Sequence, residues 1–449
     1  MELSIIFFLL YVAVAVAIGF ISSRKETEED FMIAERKVKG IQLAATMSAG
    51  FFDGTILALY FAYIYQYGFS AIWLFIGIFI GFYFFRRYAP KIKQKADELK
   101  VYTMSEYFYR LFGKRNGLMF SLFLVTQFFF WLVVNLIISG KVLSTIFPIP
   151  YFVAVIIGGC IILSYLLLAG FKAVMRTDFF QLLIMFVMSF TVAAFLLTKT
   201  HIPASEIDFT QLGLGNILGF TILAGLGIMV APDLWQRLIA SHNVKELRKG
   251  LSFSAFILII LGVSISVLGL ATKQFFPGIK PEDALVTGFS QLLPGALQVF
   301  GMVLLYAVSL SSSDTVTFVI SSIFTRDLQN YTNKFSEESM RKITRFFMVS
   351  LIVAAIAIGM SYHKIVDIGL SLASLNLALF PVVFGSLFWK LKEKAVFWSL
   401  VLAFISVIII FLSQQLSPQT ATISLPVALF SLLIFQKIFK IKTEPVLAV

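Results

Sequence analysis

Three carboxylates stand where hydrocarbon is expected: Asp53, Asp178 and Asp314 each lie inside a long apolar run. An acid at the middle of a membrane helix costs at least about 2.5 to 3.5 kcal/mol on insertion scales, so each needs either a functional or a hydrogen-bonding reason to be there. Asp314 sits in a hydroxyl-rich run, with Ser309, Ser311, Ser312, Ser313, Thr315 and Thr317 around it. At about 100° per residue, positions 308, 311, 312 and 315 fall along one stripe of a helix, with Asp314 at its edge. Such a stripe offers hard oxygen ligands, which a small cation stripped of water requires. The competing reading is helix packing through small polar residues. Asp233 and Asp367 fall near span ends, where water is expected to reach them.

Other chemistries find little to use. His201, His242 and His363 fall in loops or at span ends and form no metal-ligand or acid–base cluster. There is no phosphate-cradling glycine loop of the kind an ATP-driven pump carries. The expectation is a protein that is not an enzyme.

The elements that must position these groups are membrane helices. Hydrophobic residues make up 59% of the 449 and charged residues 13%, with a mean hydropathy of +0.92. No single water-soluble core of this length buries so much apolar surface, so lipid is the solvent. A span needs about 20 mostly apolar residues, and hydropathy predicts about thirteen of them. Residues 396–412 show no alternation of apolar and polar positions, which excludes a β-barrel. With alternate loops assigned to two sides, all but Lys141, Lys199, Lys273, Lys280 and Lys364 of the 36 Lys and Arg fall on one side. This is the positive-inside pattern, not nucleic-acid binding, and it predicts an external N-terminus and a cytoplasmic C-terminus in the cell membrane. Arg24 and Lys25 follow the first apolar run instead of preceding it, so that run is expected to stay as a helix. Residues 91–112 are expected to form a short helix along the inner interface, and residues 276–293 a partly helical external cap.

Two spans are interrupted. Residues 41–65 carry Ser48, Ala49, Gly50, Asp53 and Gly54, and residues 213–230 hold Gly213, Gly215, Gly219, Gly225 and Gly227. A glycine in a helix interior costs about 1 kcal/mol relative to alanine, so such clustering predicts unwinding or close packing. Five spans apart and inserted in opposite directions, they fit an inverted repeat whose paired broken helices form a midplane site.

Five segments in order resemble the sodium:solute symporter family. These are FMIAERKVKG (31–40), AATMSAGFF (44–52), AGFKAVMRTDFFQLLIMF (169–186), APDLWQR (231–237) and SSSDTVTFVISSIFTRD (311–327). The resemblance implies an all-α LeuT-type fold in one membrane domain over 1–449. Its parts would be an extra helix at about 3–21, core repeats at about 41–198 and 212–390, and two terminal helices at about 395–439. It implies a sodium ion (Na+) held where the first and eighth core helices meet, by carbonyls of Ala44, Met47 and Val308 and hydroxyls of Ser311 and Ser312. A second cation or proton site would use Asp178, Ser311, Asp314 and Thr315. Asp314 stands where the family pattern has a small or hydroxylated residue. Two carboxylates over-charge a site for one Na+, so either a second cation binds or one carboxyl keeps or carries a proton (H+).

Substrate candidates implied in the same way are Gly50, Phe51, Asp53, Gln127, Asn135, Thr221, Gly225, Ser374 and Asn376. Asp53 lies seven residues after Thr46, nearly two turns, hence on the same helix face. If that face meets the cavity, its carboxylate favours an ammonium-bearing solute; it could equally pair with a donor on a neighbouring helix. The expected solute is a small organic molecule: an amino acid, amine, sugar or carboxylate. The expected activity is sodium-coupled import by alternating access. Proton coupling and solute sensing by a transport-like domain are the alternatives, and a passive channel is disfavoured by the lack of a ring of like charges.

Overall fold

The computed structural model describes residues 2–22, 28–332, 336–360 and 365–439. His363 and Lys364, like Arg24 and Lys25, lie outside the described residues. All regular structure among the described residues is helical. The helices are α1 (Glu2–Ser22), α2 (Glu28–Ile33), α3 (Gly40–Phe51), α4 (Gly54–Tyr67), α5 (Trp73–Leu99), α6 (Met104–Ile146), α7 (Tyr151–Lys199), α8 (Leu214–Gly227) and α9 (Pro232–Ala240). They continue as α10 (Val244–Phe275), α11 (Ala284–Gln291), α12 (Gly295–Thr332), α13 (Glu337–Gly359), α14 (Ile365–Ser386), α15 (Glu393–Leu412), α16 (Pro418–Ala421) and α17 (Ser424–Ile438).

By length and apolar composition, 9 stretches among the described residues can cross a bilayer, and 10 if the bent pair at residues 214–240 is one span. The sequence predicts about thirteen. Shorter apolar helices at Ile5–Ile18 and Tyr151–Leu167 fall below that length, and the stretch Gly54–Leu99 contains two successive helices.

Local chemistry explains the breaks. Asp53 is extended (φ −110°, ψ 170°) and its Oδ1 accepts from the Ile56 amide at 2.7 Å, which ends α3 and starts α4 with a side-chain cap. In the second interrupted span Gly213 caps α8 and the glycines from Gly215 to Gly227 stay helical, and the chain breaks after them, at a 3₁₀ turn over Ile228–Val230. Pro232 then opens α9, with an axis change of 43°. The expected interfacial helix over 91–112 is two pieces instead. Residues 91–99 extend α5 to a left-handed Lys100 (φ 52°), and residues 104–112 precede a break at Gly113 (φ 76°). Residues 276–293 are partly helical as expected, with a 3₁₀ turn at Pro281–Asp283 followed by α11.

The basic loops gather at one end of the bundle. There Arg36 pairs with Asp97 at 2.7 Å, Arg326 with Glu106 at 2.8 Å, and Lys93 Nζ donates to the Ile239 carbonyl at 3.0 Å. At the other end Lys141 pairs with Asp283 and Lys273 with Glu206. In the middle, α3 packs on α7, α10 and α12, while α12 packs on α6 and α7.

Candidate functional site

The α3–α7–α12 junction is organised by one carboxylate. Asp178 on α7 is fully buried and accepts from the Thr46 hydroxyl of α3, from Ser311 Oγ of α12 at 2.7 Å and from Arg237 Nη2 of α9 at 3.0 Å. Four elements distant in sequence therefore meet within hydrogen-bond reach of one charge. The stretches near Ala44 and Ser311 converge, and polar atoms rather than hydrocarbon lie between them.

Arg237 is the residue the sequence reading missed. Its side chain is 0% exposed, and it donates from Nε to Thr46 Oγ1 at 2.8 Å, from Nη1 to Asp233 Oδ2 at 3.0 Å and from Nη2 to Thr315 Oγ1 at 3.3 Å. Asp233 is likewise buried, not water-exposed as a span-end acid is expected to be, because α9 turns it inward beside Arg237. The signal was the i, i+4 spacing of Asp233 and Arg237, which sets an acid and a base side by side on one helix face.

Asp314 is set apart from this pair. Its Oδ2 accepts from the Tyr165 hydroxyl at 2.7 Å and from Thr177 at 3.5 Å, while Oδ1 has no hydrogen-bond partner among the described residues. Of the residues in the second expected cation site, Asp178 and Thr315 are joined through Arg237; Asp314 uses other donors.

Ser311 and Ser312 differ in what they can offer. Ser311 is committed to Asp178, whereas Ser312 Oγ is buried without a partner among the described residues and lines a small cavity with Gly50, Trp131, Asp233 and Thr315. Ser313 is turned back on its own helix, donating to the Ser309 carbonyl at 2.7 Å. Of the expected carbonyl ligands, Met47 and Val308 are buried in α3 and α12, and the Ala44 carbonyl accepts from Ser254 Oγ of α10 at 3.3 Å.

A second cavity, of about 70 Å³, lies beside the α3–α4 break, between α5, α6, α8 and α14. Phe51, Gln127 and Asn376, all expected from the sequence, line it together with Thr55, Trp131 and Gly227. Both polar atoms of the Gln127 amide and Asn376 Oδ1 are buried without partners among the described residues, so the wall carries donors and acceptors that a solute can engage. Asn376 Nδ2 donates to the Gly227 carbonyl at 3.0 Å and so ties α14 to the second break.

The remaining candidates lie outside this lining. Asn135 Nδ2 donates to Thr55 Oγ1 at 3.1 Å, behind the wall. Thr221 donates to the Ile217 carbonyl at 2.8 Å, and the Ser374 carbonyl accepts from Ser424. Gly225 faces the backbone of α5: a Cβ on Gly81 would stand 2.3 Å from the Gly225 carbonyl oxygen. Its lack of a side chain serves close helix approach. Asp53 is fully buried at the break, and its Oδ2 has no hydrogen-bond partner among the described residues. Because asparagine caps a helix as well as aspartate does, Asp53→Asn should leave the melting temperature nearly unchanged while Asp53→Ala costs about 1 kcal/mol. If the carboxylate pairs with the solute, Asp53→Asn loses binding of ammonium-bearing solutes only; unchanged ligand-induced thermal shifts reject that pairing.

Comparison with known proteins follows the same lines. A family model described as the sodium:solute symporter family matches residues 31–403. The chain is 25% identical over 412 residues to an osmoregulated proline transporter of Bacillus subtilis, covering 85% of this chain and 83% of that one. It is 27% identical over 420 residues to a sodium/proline symporter of Staphylococcus aureus, covering 86% and 81%. Among solved structures, a substrate-bound, outward-open sodium-coupled sialic acid symporter superposes with a TM-score of 0.81 at 17% identity, over 98% of both chains. A nucleobase-cation-symport-1 family transporter in a closed conformation gives 0.62 at 12% identity, over 90% and 92%.

Proposed function

Because this chain belongs to the sodium:solute symporter family and is a sodium-coupled transporter of a small organic solute, we propose that it imports an amino acid by alternating access, with proline the first solute to test. The observation that carries this reading is the meeting of α3 and α12 at Asp178, with the Ser312 hydroxyl beside it, unpartnered among the described residues. In this reading Na+ enters between α3 and α12, takes Ser311, Ser312 and carbonyls of Ala44, Met47 and Val308 as ligands, and holds the two elements together. The solute occupies the cavity at the α3–α4 break, its apolar part on Phe51 and Phe220 and its polar groups on Gln127, Trp131 and Asn376. Proline as solute is supported by the named substrates of the two related transporters. Coupling follows because both ligands favour the same closed arrangement, worth typically about 1 to 3 kcal/mol.

The same reading has thirteen crossings: α1, α3 with α4, α5, α6, two in α7, α8 with α9, α10, α12, α13, α14, α15 and α17. The first core repeat then runs from α3 to α7 and the second from α8 to α14, with α1 before them and α15 and α17 after. The end that gathers the basic loops faces the cytoplasm, in keeping with the positive-inside rule.

Proteoliposomes decide the matter. Proline uptake should accumulate under an inward sodium gradient and fall to the equilibrium level without one. Accumulation driven by a proton gradient alone favours the proton-coupled alternative, for which Asp314 Oδ1, without a partner among the described residues, speaks. Binding without flux makes the protein a sensor.

A further inference from the structure

Two cavities flank the end of α3, and one side chain of α6 stands between them. The small one is lined by Gly50, Phe128, Asp233, Ser312 and Thr315, the larger one by Phe51, Thr55, Gln127 and Asn376, and Trp131 is the residue common to both linings among the described residues. The helical repeat explains why. Gln127 lines the larger cavity and Phe128 the small one, so Trp131, four and three residues further on, falls on the same face and covers the seam between them. Its backbone is held, because Asn135 Nδ2 donates to the Trp131 carbonyl at 3.1 Å and to Thr55 Oγ1 at 3.1 Å, fastening α6 to α4. The half-buried indole meets the Phe128 ring edge-on at 5.6 Å and interacts with the Asp53 carboxyl at the α3–α4 break. Opposite Trp131 the partition is the chain itself: Gly50 and Phe51 are neighbours that line different cavities, and a Cβ on Gly50 would stand 3.2 Å from Arg237 Nη2. Of the two sides of this partition, the indole is the one that can shift by rotating about its side-chain bonds.

We propose, on the reading of the small cavity as the ion side and the larger one as the solute side, that Trp131 is the positioning residue through which ion and solute sense each other. Whichever ligand binds first fixes the indole, and the second meets a wall already in place. Holding a large side chain in one rotamer weakens binding, and that cost falls on the first ligand alone. The second ligand therefore binds tighter, by about two- to tenfold on the scale of one immobilised side chain. By linkage the ion gains from the solute the same factor that the solute gains from the ion.

The test is calorimetric titration of the purified full chain with proline, in sodium and in potassium, for the wild type, Trp131→Leu and Phe220→Leu. The wild type should bind proline at least about fivefold tighter in sodium. Trp131→Leu should bring that ratio below about twofold. Phe220 lines the larger cavity and not the small one, so Phe220→Leu should weaken proline in both salts and leave the ratio within about twofold of the wild type's. A role for Trp131 in shaping the solute cavity alone moves both affinities together, as Phe220→Leu does, and leaves the ratio untouched. Should Trp131→Leu fail to fold, Trp131→Phe, which keeps a smaller ring without the N–H, should lower the ratio by at least about twofold. A wild-type ratio in the folded Trp131 variant, or an equal loss of the ratio in Phe220→Leu, overturns the proposal. A wild type that binds no proline, or binds it equally in the two salts, instead overturns the sodium-coupled proline reading, and this inference with it.

Discussion

Asp178→Asn should abolish sodium-driven uptake, lowering it more than about a hundredfold, because breaking a buried ion pair by removing one partner costs about 3 to 5 kcal/mol. Asp178 is the common acceptor for Thr46, Ser311 and Arg237, which come from three different elements. Asparagine preserves the shape but removes the charge, and its amide nitrogen cannot accept. The Arg237 guanidinium then keeps only Asp233 as a charged partner, and Ser311 loses the acceptor that orients it. Both the local ion-pair geometry and the approach of α3 to α12 suffer. The measurement is uptake across a range of sodium concentrations, with melting temperature as the control for folding. A well-folded Asp178→Asn protein with wild-type sodium dependence would remove Asp178 from the account.

Ser312→Ala should raise the sodium concentration for half-maximal uptake by about tenfold, whereas Ser313→Ala should change it by less than about twofold. The two serines are neighbours with the same side chain, so the difference is one of orientation. Ser313 Oγ donates to the Ser309 carbonyl of its own helix and is spent there. Ser312 Oγ is buried, has no partner among the described residues and faces the small cavity lined by Gly50, Asp233 and Thr315. A buried hydroxyl left without a partner is costly unless something fills its lone pairs, and a cation between α3 and α12 does so. Equal effects of the two substitutions would count against the stripe.

How much of this was written in the sequence depends on which physical signal each residue leaves. The α3–α4 break was legible because Asp53 is a helix-capping residue followed by Gly54, a local signature. The second break lies at the far end of the span expected to be interrupted, residues 213–230, and follows the glycine run instead of falling within it. Those glycines are used for packing, as Gly225 against Gly77 and Gly81 shows, and the break comes where Pro232 starts a new helix. Glycine has one appearance in sequence for two jobs. The hydroxyl stripe and Asp178 were legible because polar groups in hydrocarbon demand a reason. Arg237 was not, because a basic residue near a span end is ordinarily a loop charge; only the bend at residues 228–231 turns it inward. Its presence alters the charge argument made from Asp178 and Asp314, since a guanidinium already stands against the first of them. The apolar walls of the proposed solute cavity, such as Leu74 and Phe220, carry no mark distinguishing them from lipid-facing or core residues.

The central claim is that oxygens of α3 and α12 close around a sodium ion. Equilibrium binding of radiosodium to the purified protein tests it most directly, comparing the wild type with a variant carrying both Ser311→Ala and Ser312→Ala and melting within a few degrees of it. The account predicts saturable binding that the double substitution removes; saturable binding of undiminished affinity in that variant would contradict it.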